Sequence, residues 1–147
     1  METDVFGELV KESGRCSERL GLPSVLGQVW GMLYFKGGMT QAQLKKELGI
    51  GLGSVSQSIK TLGSLGFISS PKKEGRKKVY EAEFTTGIIN RFLENALRHE
   101  ISPMTSLLES RIPEIADKKM KQKAEELNKN LGKTAKLLKL FLSVNKE

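Results

Sequence analysis

The sequence is poor in the residue types that build catalytic and metal centres. Its 147 residues include one cysteine, one histidine and one tryptophan, and a single cysteine excludes a disulfide within the chain. His99 has no Cys or His at metal-ligand spacing, and no Gly-x-Ser-x-Gly turn accompanies it, so neither a zinc site nor a Ser-His-Asp triad is indicated. We therefore expect no enzyme, no metal and no cofactor.

Long apolar runs are also missing. A membrane span needs about 18 consecutive apolar residues, and no stretch approaches that length. Residues 1–16 carry charges throughout and lack the apolar centre of a signal peptide. Because a lone cysteine suits a reducing compartment, we expect a cytoplasmic protein without membrane contact.

Positive charge is present in excess and is unevenly placed. The net charge of +7 includes a local cluster at residues 71–78, PKKEGRKK, with five basic residues and one acidic residue. Phosphate is a frequent partner of such a cluster. A solvated hairpin tip explains the charge alone equally well.

Two helices are predicted before residue 40. Residues 1–20 show an amphipathic pattern, with Phe6, Leu9, Ser13, Cys16 and Leu20 at spacings of three and four. Residues 25–36 are apolar nearly all round, which is typical of a core helix. On these patterns we interpret Cys16 as a buried, inert thiol rather than a redox sensor. Trp30 and Phe35 are interpreted as core rather than as a cage for a cation.

The next segment predicts a helix-turn-helix. Thr40 to Gln43 form a capping box that opens a short helix ending at Gly49. After a glycine-rich turn, Ser54 is expected to cap a second helix that ends at Gly66. The second helix carries apolar residues on one face only, so its other face is free to enter a DNA groove.

A basic hairpin follows the helix-turn-helix. Residues 67–70 and 77–84 have strand character on either side of a Glu74-Gly75 turn, with Tyr80, Ala82 and Phe84 on one face. A hairpin in this place would grip phosphates or the minor groove beside the second helix. The predicted DNA contacts are Ser54, Ser56, Gln57, Lys60 and Thr61 on that helix, Thr40 and Gln41 before it, and Lys72, Lys73, Arg76, Lys77 and Lys78 on the hairpin.

The C-terminal segment is predicted to be helical. A helix from Thr86 ends near Ile101, Ser102-Pro103 opens a short helix, and Pro113 restarts a long one. The long helix has a heptad seam of Met120, Ala124, Leu127, Leu131, Thr134, Leu138 and Phe141. This seam and the stripe of residues 1–20 either pack together within one chain or meet a twofold mate. We expect a homodimer, with contacts through Phe6, Leu9, Leu127, Leu131, Leu138 and Phe141.

The predicted fold class is mainly α with a small β-hairpin. It consists of an N-terminal dimerisation helix (1–22), a winged helix-turn-helix domain (23–85) and C-terminal dimerisation helices (86–147). The lysines of the last helix are interpreted as a solvated face.

Several short motifs also resemble a known family. Residues 48–50, 53–56, 62–66 and the Gly75-Arg76-Lys77…Tyr80-Glu81-Ala82 run are similar to GbsR-type regulators within the MarR-like winged-helix group. The resemblance implies a homodimeric repressor or activator that binds double-stranded DNA at an inverted repeat. It also implies a small-molecule effector, whose identity the sequence does not indicate.

Two other functions are compatible with a winged helix. One is a protein-interaction module of the transcription or chromosome machinery, which has no need for five basic residues in eight. The other is nonspecific packaging of nucleic acid, which favours charge, whereas the predicted recognition helix is rich in Ser, Thr and Gln. The sequence therefore favours a sequence-specific regulator.

Overall fold

The computed structural model describes residues 2–144 and divides into two compact units, Met1–Phe84 and Thr85–Glu147. Both units are mostly helical, and the first also holds a two-stranded antiparallel hairpin. The predicted fold class is confirmed. Residue 1 and residues 145–147, the outer ends of the predicted dimerisation segments, lie outside the described residues.

The first two helices, α1 (Glu2–Arg19) and α2 (Ser24–Lys36), pack against each other through small residues. A Cβ atom at Gly27 would lie 2.0 Å from the backbone oxygen of Ser13, and one at Gly14 would lie 2.7 Å from Oγ of Ser24. Neither position has room for a methyl group. Glycine therefore lets the two helix backbones approach each other closely.

This packing corrects the predicted stripe on residues 1–20. The buried positions of α1 are Val10, Gly14 and Ser17, each one residue beyond the predicted Leu9, Ser13 and Cys16. Leu9 is 39% exposed and Cys16 is exposed as well, so the prediction of a buried thiol is wrong. The pattern misled because it placed Leu9 and Cys16 inward, whereas beside Val10 this helix buries Gly14 and Ser17.

The core of the first unit surrounds α2. Val29 and Leu33 of α2 are fully buried, as are Leu44 of α3 (Gln41–Leu48) and Val55 of α4 (Leu52–Leu65). Phe6 of α1 packs against this cluster while half-buried. Helix α1 thus belongs to the first compact unit.

Helices α3 and α4 form the predicted helix-turn-helix. Thr40 and Gln43 make both hydrogen bonds of a capping box, and Gly49 ends α3 in the left-handed conformation. Gly66 ends α4 in the same way, with φ 83°. The expected cap at Ser54 is wrong, because α4 begins two residues earlier, after Gly51.

The hairpin is shorter than predicted. Strands β1 (Lys72–Glu74) and β2 (Lys77–Val79) are joined by Gly75-Arg76, and Gly75 has the positive φ of 65° that a two-residue hairpin loop favours. Among the described residues, pairing outside these strands is limited to two single bridges, Ile68 with Ala82 and Met39 with Tyr80.

The bridge between Met39 and Tyr80 was not predicted. Two backbone hydrogen bonds, of 3.0 and 2.9 Å, join these residues directly before α3 begins. Of the three residues predicted on one face of the strand, Tyr80 is buried and Ala82 is half-buried, whereas Phe84 is 55% exposed. The base of the hairpin is therefore fixed to the start of the helix-turn-helix.

In the second unit, α5 (Thr86–Asn95), a π-helical turn (Ala96–Ile101) and α6 (Ser102–Arg111) are continuous. Ser102 has a helical backbone, so its prediction as the cap of a new helix is wrong. Pro103 has no N–H to bond to the carbonyl of His99, and its ring crowds that carbonyl. A wider turn, closed by the Ser102 N–H and the Leu97 carbonyl, accommodates the proline.

The last helix, α7 (Lys118–Val144), packs against α5 and α6. A 3₁₀ turn (Ile112–Glu114) takes up Pro113, so the predicted restart at this proline is wrong. The predicted seam divides into two rows. Its half-buried row contains Ala124, Leu131 and Leu138, and its exposed row contains Met120, Leu127, Thr134 and Phe141.

Candidate nucleic-acid interface

Helix α4 separates a buried face from an exposed one. The buried side chains are Val55, Ser58, Ile59 and Leu62. Of the predicted contact residues, Ser54, Ser56, Gln57 and Lys60 are exposed and Thr61 is half-buried. Because most of these side chains are short, the backbone of α4 is able to approach a partner surface closely.

The earlier start of α4 adds two positions to this exposed face. Leu52 is 49% exposed in the first turn, and a Cβ atom at Gly53 would meet nothing within 4 Å. Sequence reasoning placed both residues in the turn before the helix. A signal was available, since Gly51 serves as an N-cap almost as well as serine does.

Two predicted contact residues are hydrogen-bonded to each other. The Ser56 hydroxyl donates to Oε1 of Gln41 at 2.6 Å, and Nε2 of Gln41 donates to the Tyr80 hydroxyl at 3.4 Å. These two hydrogen bonds connect α4, the start of α3 and the residue directly after β2. Ser56 and Gln41 therefore hold the helix and the hairpin in register.

Thr40 is also engaged within the protein. Its Oγ1 accepts a hydrogen bond from the Gln43 N–H at 3.2 Å, and its own N–H donates to Oε1 of Gln43 at 2.9 Å. The structure thus gives Thr40 a role at the start of α3. Its predicted contact with DNA stays a prediction.

The hairpin presents five basic side chains, all of them exposed: Lys72, Lys73, Arg76, Lys77 and Lys78. Lys72 lies 3.6 Å from a carboxylate oxygen of Glu81. Lys73 stands directly opposite Lys78 across the two strands. Like charges in facing positions destabilise a hairpin, so a negatively charged partner would relieve this pair.

A polar groove runs between the start of α3 and the hairpin. Its volume is about 710 Å³, and its walls include Gln41, Gln43, Lys77, Lys78 and Tyr80. Glu74 and Glu81 also line this groove, so two carboxylates balance the charges of its two lysines. The groove is therefore polar rather than basic.

The aromatic residues of α2 are less buried than predicted. Trp30 is half-buried and donates a hydrogen bond from Nε1 to the backbone oxygen of Glu83 at 3.3 Å, while Phe35 is 43% exposed. The prediction of Phe35 as core is wrong. Trp30 stacks on Tyr34 with ring centroids 4.9 Å apart, which leaves no space for a cation between these rings.

Cys16, which was considered for redox chemistry, lies in α1, and His99, which was considered for metal binding, lies in the second unit. Cys16 Sγ accepts a hydrogen bond from Arg19 at 3.8 Å, and the same guanidinium, with Arg15, holds the pKa of Glu12 below its usual value. His99 is exposed in the π-helical turn. Within the described part of the chain, no group of three His, Cys, Asp or Glu side chains is placed to hold a metal ion. No described helix is long and apolar enough to cross a membrane.

No protein-family model matches the chain, and no curated protein matches it by sequence. One similar solved structure is described as a crystal structure of a transcriptional regulator, with a TM-score of 0.73 and 17% identity over 94% of this chain and 95% of that chain. Lower scores relate the chain to two MarR-type proteins. A MarR family regulator from Neisseria meningitidis gives 0.42, with 20% identity over 99% of this chain and 94% of that chain. A mutant MarR from E. coli complexed with operator DNA gives 0.41, with 17% identity over 88% and 86%.

The first of these similarities spans nearly the whole of both chains and shows a shared fold. At 17% identity it shows the fold alone. The other two scores are too low to support an argument. The chain has the winged helix-turn-helix fold. Its wing is the hairpin of β1 and β2, and this wing and the outer face of α4 are its two exposed polar surfaces.

Proposed function

We propose that the protein is a sequence-specific, double-stranded DNA-binding transcriptional regulator that acts as a homodimeric repressor on an inverted-repeat operator. One observation carries the proposal: a single compact unit presents an exposed, small-residue face on α4 and a wing with five exposed basic side chains. The first surface suits base edges and the second suits phosphates.

Helix α4 would read the major groove. Gln57 is exposed and makes no side-chain hydrogen bond within the described residues, so its amide is available for a bidentate contact with adenine. Lys60 reaches guanine or phosphate from the same face. In the first turn of α4, Leu52 would contact a thymine methyl group, and Gly53 would let the turn approach the DNA backbone.

The wing would contribute affinity rather than specificity. Lys73 and Lys78 face each other, and phosphate binding removes the repulsion between them. Arg76 occupies the tip of the loop, where a long side chain reaches furthest from the protein.

The second unit would supply the dimer contacts. Among its described residues only Ile88 is a buried hydrophobic residue, whereas its exposed large hydrophobic residues are Phe92, Met104, Leu107, Met120, Leu127, Leu137, Leu140, Phe141 and Val144. A twofold mate would cover part of this surface and hold two α4 helices about 34 Å apart, one turn of DNA. The assignment of segments 1–22 and 86–147 to dimerisation belongs to this proposal.

The finer assignment is to the GbsR-type regulators of the MarR-like group. Its support is the similarity of short motifs in α4 and the wing, together with a fold shared with a transcriptional regulator rather than an enzyme. A homodimer that occupies its operator excludes other proteins from that stretch of DNA, and such a steric block is repression.

The test is selection from random-sequence duplex DNA, followed by titration of the best site at several salt concentrations. We expect an inverted repeat with half-sites about 10 base pairs apart and an affinity that falls steeply as salt rises. Weak binding without any enriched sequence would contradict the proposal and favour a protein-interaction module.

A further inference from the structure

The last helix, α7, half-buries one row of side chains and exposes the opposite face. The half-buried row repeats at every third or fourth residue. Its members are Ala124, Asn128, Leu131, Ala135, Leu138 and Leu142. Because successive residues of a helix are about 100° apart, the opposite face is centred on Lys133 and Leu140. We call this face, over residues 129–144, the outer face of α7.

Three large apolar side chains lie on the outer face of α7. Leu137, Leu140 and Val144 are 67%, 64% and 74% exposed and stand at spacings of three and four residues. This spacing gives one continuous apolar stripe over two helical turns. A contiguous apolar stripe of such exposure marks an interaction surface.

Lysines precede this stripe on the same face. Lys129, Lys133 and Lys136 are all exposed. Residues 127–144 contain four lysines and no aspartate or glutamate. Within the described part of the chain, none of these four lysines takes part in an ion pair. The outer face of α7 thus has a basic half without internal counter-charges, followed by an apolar half.

This arrangement indicates which partner fits the outer face. Residues 127–144 of a second copy, laid against it, would supply four further lysines and no carboxylate, so like charges would repel. In a helix that lies on a lipid surface, lysines occupy the face opposite to the apolar one, whereas here both share one face. A protein helix with carboxylates in one half and apolar side chains in the other is complementary to both halves.

We propose that the outer face of α7 binds an acidic amphipathic helix of another protein. The carboxylates of that helix would pair with the three lysines, and its apolar side chains would pack on the stripe centred on Leu140. Residues 129–144 span about 24 Å of helix, so the partner needs about four turns to cover both halves. The outer face uses none of the residues assigned to DNA, and it leaves the seam row with Leu127 to a twofold mate. The inference therefore goes beyond the proposed function and does not depend on it.

The probes are two synthetic peptides of alanine, glutamate and leucine, about 18 residues long, which is enough for four helical turns. One half carries glutamates and the other carries leucines, at spacings of three and four, and the order of the halves differs so that both helix orientations are covered. Matched peptides have glutamine in place of glutamate. In nitrogen-15 spectra of the full-length protein, we expect a glutamate peptide to shift the signals of Lys133, Leu137 and Leu140. It should bind at least about threefold more tightly than its glutamine counterpart.

Two variants isolate the two halves of the face. Lys133→Glu should weaken binding of the glutamate peptide about three- to tenfold and change binding of the glutamine peptide little, because it alters a charge contact. Leu140→Ser should weaken both peptides, because it removes apolar area from the contact. Lys123→Glu makes the same charge change at an exposed position of α7 outside the outer face, and it should behave as wild type at physiological salt. Circular dichroism establishes that all three variants keep their helical content.

The proposal is overturned if neither glutamate peptide shifts the signals of the outer face, or if Lys133→Glu and Lys123→Glu weaken binding equally. Loss of self-association in Leu140→Ser, measured by sedimentation, would also overturn it, because a second copy would then cover this face. Vesicles of phosphatidylglycerol and phosphatidylcholine test the lipid alternative, and vesicle binding that Lys133→Glu abolishes would refute a protein helix as the occupant. Failure of the chain to bind any DNA would refute the proposed function and leave these tests unaffected.

Discussion

The two compact units differ in how they use their apolar residues. Of the thirteen buried hydrophobic side chains among the described residues, twelve lie in the first unit and one, Ile88, lies in the second. The second unit nevertheless contributes nine of the seventeen exposed large hydrophobic residues among the described part of the chain. Among the described residues, the fully buried apolar side chains are thus concentrated in the first unit, while those of the second unit are mostly half-buried or exposed.

This difference indicates that the two units are stabilised in different ways. Buried apolar area contributes about 25 cal/mol per Å², so the first unit gains more from its own folding than the second, whose described apolar side chains are mostly half-buried or exposed. Exposed apolar surface on that scale is typical of an interface. We therefore expect changes in the first unit to affect folding and DNA contacts, and changes in the second to affect assembly.

The largest expected effect comes from the first unit. Gly27→Ala would place a Cβ atom 2.0 Å from the Ser13 backbone oxygen and force α1 away from α2. We expect a loss of about 3 kcal/mol or more in unfolding free energy, because overpacking against backbone is not relieved by rotating a side chain. Urea unfolding measures the change.

The matched control for this change is Gly7→Ala, also in α1. A Cβ atom at Gly7 meets nothing within 4 Å, so the variant should be unchanged or slightly more stable. Equal stability of Gly27→Ala and wild type would mean that α1 is not anchored to the first unit.

The next effect concerns the second unit. Leu127 is 44% exposed in the outer row of the seam, and Leu127→Glu would place a charge in the proposed interface of both protomers. We expect the dimer to weaken about a hundredfold or more while the helical content is retained. Sedimentation at several concentrations gives the dissociation constant.

Gln122→Glu adds the same charge to an exposed polar position of α7 and serves as the control. If the Leu127→Glu variant dimerises as tightly as this control, the exposed row of the seam does not form the interface. A wild-type protein that remains a monomer would refute the homodimer itself.

The helix-turn-helix was predictable because its signals are local. The Thr40 capping box, the glycine ends of α3 and α4 and the one-sided apolar pattern of α4 each depend on a few neighbouring residues. The start of α4 was misplaced because glycine and serine are both good N-caps, and the sequence does not choose between Gly51 and Ser54.

The features that sequence reasoning missed depend on distant contacts. The glycine and serine face of α1 has meaning only where α2 crosses it, and the Met39–Tyr80 bridge joins residues far apart in sequence. The Ser56–Gln41–Tyr80 hydrogen bonds belong to the same class. In the candidate site, the exposed residues were predicted from the helical period, but their internal partners were not.

A smaller effect distinguishes base recognition by α4 from phosphate binding by the hairpin within the first unit. Gln57→Ala should cost about 1–3 kcal/mol at the selected operator if Gln57 pairs with adenine, and much less at an operator in which that base pair is replaced. Affinities for both operators, measured with both proteins, isolate the contact. An equal loss on both operators would show that Gln57 does not read a base.

The smallest expected effect is that of Lys78→Glu, which should stabilise the hairpin and weaken DNA binding. Lys78→Glu replaces the repulsion with Lys73 by an attraction, so the hairpin should gain about 0.2–1 kcal/mol. The same change removes a phosphate contact, so affinity should fall about equally on all DNA sequences and the salt slope should decrease by about one.

Arg76→Ala should share the DNA effect without the gain in stability. Lys129→Glu reverses an equal charge on α7 and should leave the salt slope as it was. If it lowers the slope as much as Lys78→Glu does, the net charge of the chain rather than the wing governs its contact with DNA.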